Sequence, residues 1–162
     1  AEVFRICQED GISTTLDTGG YCTKQALQEV LPYTDKILFS LKAATPEMHQ
    51  RLTAVDSNQQ ILTNLRLACR EKPVTLRYVL LPGMTDTAEE TAALIALVHA
   101  LDAEDLCVEV LPYHTMGIAK WQALKMPYPL PDVREPEQAE LEAFKGKLQE
   151  AGIRLAHLGT ND

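Results

Sequence analysis

The side chains most able to do chemistry fall in four short segments. Asp17-Thr18-Gly19-Gly20 joins a carboxylate and a hydroxyl to two permissive backbone positions, a turn that can approach a ligand or cation closely. The same four residues also read as an ordinary strand-to-helix turn capped by Asp17. Ser40 and Lys42 share a parity with Leu38, opposite to Ile37, Phe39 and Leu41. A lysine at such a strand end can clamp a carboxylate, form a Schiff base, or stand solvated.

Arg77 lies in the run Val74 to Leu81, which is otherwise apolar apart from Thr75 and Tyr78. A guanidinium in a central strand must be paired or must face a ligand. Glu109 in the next apolar run is the structural partner on offer, and a bidentately held carboxylate or phosphate is the functional one. His114 follows Leu111-Pro112-Tyr113 and has no metal-ligand spacing to His49, His99 or His157. Trp121, preceded by Lys120, either covers a site or anchors its own loop.

Short apolar or β-branched runs alternate with helical patterns. They predict strands at Ile12 to Leu16, Lys36 to Leu41, Val74 to Leu81, Leu106 to Leu111 and Ile153 to His157. The opening AEVFRICQEDG is periodic at Val3, Phe4 and Cys7 and stops at Gly11, as a helix does at its C-terminal cap. Thr45-Pro46-Glu47 marks another helix entry, Thr87 to Glu90 reads as a capping box, and Pro136 marks the first turn of the last helix. Met116 to Glu135 carries Pro127, Pro129 and Pro131, with Pro136 just beyond, and reads as a long surface loop.

This alternation predicts an α/β fold with a mostly parallel sheet, doubly wound or a (β/α) TIM-like barrel, in one domain over residues 1–162. Either architecture gathers active groups at the carboxyl ends of its strands, where the four segments fall. No G-x-G-x-x-G follows the first strand, which disfavours the dinucleotide-binding version.

A composition of 46% hydrophobic residues supports a real core. The net charge of -8 comes from acids scattered over helix faces, with no basic stripe to track a nucleic acid. No apolar run approaches the roughly 18 residues of a membrane span and the N-terminus has no signal pattern, so a cytoplasmic, non-membrane protein is expected. Cys7, Cys22, Cys69 and Cys107 are too irregularly spaced for a C-x2-C site and too sparse for a disulfide scaffold.

Taken together, LDTGGY at 16–21, SLK at 40–42, RYVLLPGMTD at 77–86 and LPYHTMGIAKW at 111–121 resemble the radical S-adenosylmethionine activases of glycyl radical enzymes, the pyruvate formate-lyase-activating type. EMHQRLTAVDSNQQILTNL, 47–65, resembles the stretch that follows the second motif. The resemblance implies a partial (β/α)6 barrel that holds S-adenosylmethionine against a 4Fe–4S cluster. Reductive cleavage there yields a 5′-deoxyadenosyl radical that takes a hydrogen from a glycine of a partner such as pyruvate formate-lyase, with electrons from a flavodoxin or ferredoxin-type reductant.

It further implies that Lys42, Arg77, His114 and Ser40 surround the S-adenosylmethionine. Asp17 and Thr18 would hold a monovalent cation, with a backbone contribution near Leu38. Ser40 stands where the family pattern usually has Asp, so a hydroxyl replaces a carboxylate. The family's C-x3-C-x2-C and GGE segment has no counterpart here, and no three of the four cysteines have that spacing. The expectation is therefore a C-terminal portion of such an enzyme, inactive by itself and without cluster ligands, whose open Ile12 to Leu16 edge favours a homodimer. Two other readings are a non-catalytic binding or scaffold relative and an aldolase-type barrel enzyme using Lys42.

Overall fold

The computed structural model describes residues 1–156. Four strands, β1 (Thr15–Thr18), β2 (Lys36–Leu41), β3 (Val74–Leu80) and β4 (Leu106–Pro112), form one sheet in the order β1-β2-β3-β4. All three pairings are parallel, so each strand must return over the sheet before the next begins. The described α-helices are α1 (Glu2–Glu9), α2 (Lys24–Val30), α3 (Pro46–Thr53), α4 (Gln59–Glu71), α5 (Ala88–Leu101), α6 (Ile118–Ala123) and α7 (Gln138–Glu150).

Strand alternation divides the sheet into two faces. Ile37, Phe39 and Leu41, Val74, Leu76, Tyr78 and Leu80, and Leu106, Val108 and Val110 are buried on one face. There they meet Leu27 of α2, Leu65 of α4, Leu94 of α5 and Phe144 of α7 in a single core. At about 25 cal/mol per Å² of apolar surface, this face is what holds the sheet to its helices. The register places Ser40, Arg77 and Glu109 in one row on the opposite face, with Asp17 and Leu38 in the neighbouring row.

Several boundaries differ from the sequence expectation. β1 starts at Thr15, because Thr14 is tied to the next loop: its N–H donates to Asp35 Oδ2 at 2.7 Å and its carbonyl accepts from Asp35 and Lys36. The shift puts Asp17 and Thr18 inside the strand, on opposite faces, whereas the sequence placed them just beyond it. Within Met116 to Glu135, a 3-10 turn at Thr115–Gly117 leads into α6; the prolines that block a helix begin only at Pro127.

The last helix starts at Gln138, with Glu137 as its N-cap in a capping box with Glu140, so Pro136 lies outside it. Instead of a fifth strand, Leu155 makes one isolated parallel bridge to Val108; His157, the expected end of that strand, lies outside the described residues. At α5, Thr87 accepts from the Glu90 N–H, but the Glu90 carboxyl does not return the bond. It is drawn away by buried donors on another loop.

Candidate functional site

The face of the sheet opposite the helices carries the charged groups. Arg77 reaches from β3 across β2 to β1, where its Nη1 donates to Asp17 Oδ2 at 2.8 Å. On its other side, Arg77 Nε lies 3.4 Å from Glu109 Oε2 of β4. That contact is an ion pair without a hydrogen bond, and Arg77 Nε remains a buried donor with no partner. Of the expected alternatives for Arg77, the structural one is present: it lies within ion-pair distance of Glu109, and it also pairs with Asp17. Side-chain exposures of 27% for Arg77 and 61% for Asp17 put their pair in the range of about 0.2–1 kcal/mol.

Ser40 is the register partner of Arg77 in β2, and Asp17 lies one row away opposite Leu38, so the guanidinium crosses β2 diagonally to reach it. Lys42 follows β2 by one residue and is exposed. His114, also exposed, stands two residues beyond β4 at the start of the 3-10 turn. Among the described residues, Lys42 and His114 enter no ion pair. The structure therefore brings Asp17, Ser40, Arg77 and Glu109 together, and places Lys42 and His114 at the same carboxyl end of their own strands. Thr18 does not join them. It shares a row with Phe39 on the helix side, and its Oγ1 accepts from the Gly20 N–H at 3.0 Å.

The turn after β1 is fixed from below. Gly20 has φ +74°, and a Cβ there would sit 2.2 Å from Phe39 Cζ, so only glycine fits. Asn64 of α4, fully buried, donates to the carbonyls of Gly20 and Cys22 at 2.9 and 2.8 Å. Sequence reasoning missed Asn64; the signal was a lone amide among Ile61, Leu65 and Ala68 on the apolar face of α4.

The segment beyond β4 is anchored by aromatic groups. Trp121 meets Tyr128 edge to face at 6.1 Å, and the hydroxyls of Tyr128 and Tyr113 are hydrogen-bonded. Burial, chiefly, and that bond push the Tyr113 hydroxyl up to about 12. Trp121 thus anchors its own segment. Glu135 accepts from the Thr115 N–H and hydroxyl at 2.7 Å, bonds that hold its carboxyl below the usual range and fasten the end of the proline-rich stretch beside His114.

The parallel sheet carries its polar and charged groups at the carboxyl ends of the strands, and residues 1–95 match the Radical SAM superfamily, to which this chain belongs. Among individual proteins, the chain is 35% identical over 156 residues to the pyruvate formate-lyase-activating enzyme of Listeria monocytogenes, covering 92% of this chain and 62% of that one. It is 32% identical over 154 residues to the pyruvate formate-lyase 1-activating enzyme of Escherichia coli, covering 94% and 62%. The chain thus spans about 62% of the length of these curated relatives.

A domain of a pyruvate-formate lyase-activating enzyme from Bacteroides vulgatus shares the fold with a TM-score of 0.78 at 20% identity, over 98% of this chain and 88% of that one. A radical SAM methyltransferase from Sphaerobacter thermophilus does so with a TM-score of 0.67 at 20% identity, over 90% and 41%. The expected α/β partial barrel is the fold observed.

Members of the superfamily use S-adenosylmethionine and a 4Fe–4S cluster. The partly exposed guanidinium of Arg77 fits an anionic group such as the carboxylate of S-adenosylmethionine. For the cluster, no group of three or more His, Cys, Asp or Glu side chains among the described residues could hold a metal. The monovalent cation expected at Asp17 and Thr18 also fits poorly, because Asp17 already receives Arg77 and the Thr18 hydroxyl faces its own turn.

Proposed function

We propose that this chain is, as one domain, the part of a glycyl radical enzyme activase that grips S-adenosylmethionine. The likeness to pyruvate formate-lyase-activating enzymes, which runs through nearly the whole chain, carries the reading. Arg77, with donors left over from Asp17 and Glu109, and Lys42 take the carboxylate of the ligand. His114 and Ser40 serve its remaining polar groups. When bound, S-adenosylmethionine with a 4Fe–4S cluster supplies reductive bond cleavage and hydrogen abstraction from a glycine of the partner. The residues of this chain orient the cofactor so that this chemistry is directed at the partner.

The partner is a glycyl radical enzyme, with pyruvate formate-lyase the first to test, and the electron donor is a flavodoxin or ferredoxin-type protein. No described helix is long and apolar enough to cross a membrane, which accords with work in the cytoplasm. Two measurements test the reading. Calorimetry should show S-adenosylmethionine binding to this chain, weakened about tenfold or more by Arg77→Gln. The protein as the cell makes it, reconstituted with iron and sulfide and supplied with reduced flavodoxin, should raise the glycyl radical signal of pyruvate formate-lyase in electron paramagnetic resonance. No binding in the first and no radical or cleaved cofactor in the second would retire the proposal.

A further inference from the structure

A guanidinium on β3 and a carboxylate on β1 are two strand spacings apart, about 10 Å. Arg77 bridges that gap only by lying across β2, where its own register partner is Ser40 and that of Asp17 is Leu38. A serine is short and uncharged. A longer acidic side chain in its place would meet the guanidinium first and stop it short of β1. The result is that the Oδ2 of Asp17, the carboxylate at the carboxyl end of β1, holds a fixed positive charge at 2.8 Å.

From this we infer that Arg77 is the resident counter-ion of Asp17, in the position a monovalent cation would take, and that Ser40 is the residue that allows it. Ligand binding on this face is then independent of potassium and sodium.

The surroundings agree. A hard cation collects several oxygen ligands. Here one oxygen of Asp17 is engaged, the Thr18 hydroxyl points to the helix side, and position 40 adds no charge. A second cation on Asp17 would also be repelled by the guanidinium. Glu109, 3.4 Å from Arg77 Nε, holds the arginine from the other side, so the guanidinium stands between two carboxylates.

The direct test is thallium nuclear magnetic resonance on this chain, with potassium as competitor. The wild-type chain should show no saturable, potassium-displaced thallium signal. Ser40→Asp should create one by drawing Arg77 away, and Arg77→Gln should create one by removing it; circular dichroism verifies that each variant is folded. A saturable signal in the wild type that Asp17→Asn abolishes overturns the inference. So does the lack of a signal in both folded variants, because Arg77 would then not be what excludes the ion.

The cofactor half rests on the proposed function. The affinity for S-adenosylmethionine should agree within about twofold between potassium and tetramethylammonium chloride at equal ionic strength, and a loss of about tenfold or more without potassium contradicts it. If S-adenosylmethionine fails to bind in either salt, the functional proposal falls, and the thallium result decides the inference alone.

Discussion

His49 is 1% exposed, and neither ring nitrogen has a partner. Burial alone lowers its ionisation below the ordinary 6.5, since the interior disfavours the charged ring. The folded state then binds fewer protons than the unfolded one between the lowered value and 6.5, so this contribution to stability is complete above about pH 6.5 and is lost as the pH falls. Thermal melts should show stability declining from about pH 7.5 to 5.5, and His49→Leu should flatten that decline while costing less than about 1.5 kcal/mol at pH 7.5. A variant with the same pH slope as the wild type would show that His49 is not the titrating group. Arg77 was legible in the sequence because a charge in an apolar strand is conspicuous. His49 was not, because it sits in a short helix of mixed composition whose buried side depends on partners far along the chain.

Glu90 links elements that the sequence alone does not relate. From the first turn of α5, its carboxyl accepts the N–H groups of Ala44 and Thr45 at 2.9 Å, the Thr45 hydroxyl, and the Tyr78 hydroxyl at 2.9 Å. It therefore fixes the passage from β2 into α3 against β3, only two residues beyond Lys42. Its sequence signature, an acid three residues after Thr87, is that of a local capping box, and so the long-range role was masked by a plausible short-range one. Glu90→Gln keeps the shape but turns one acceptor into a donor facing donors. Urea unfolding should show a loss of about 2–4 kcal/mol, and a loss below about 0.5 kcal/mol would mean the four bonds are dispensable. The strand interiors were readable to within a few residues because burial enforces alternation, which fails at β1, where Thr15–Thr18 is short and half exposed.

At the scale of the whole chain, β1 pairs only with β2 among the described residues, and no described strand covers its outer edge. Its burial pattern is half-exposed throughout, with Ile12 just ahead of it 56% exposed. Such an edge is a template for pairing, and light scattering at high concentration should report a dimer or larger species; a strict monomer would count against an edge-to-edge association. The net charge of -8 opposes close approach, so the association should strengthen as salt is raised.

The strand order β1-β2-β3-β4 repeats the order of the chain, and apart from the bridge from Leu155 to Val108 every strand meets the one made just before it. A nascent chain leaving the ribosome can therefore extend its sheet as it is synthesised, never waiting for a distant segment. Stalled chains that expose residues through Leu101 should already protect β2 and β3 from protease, before β4 exists.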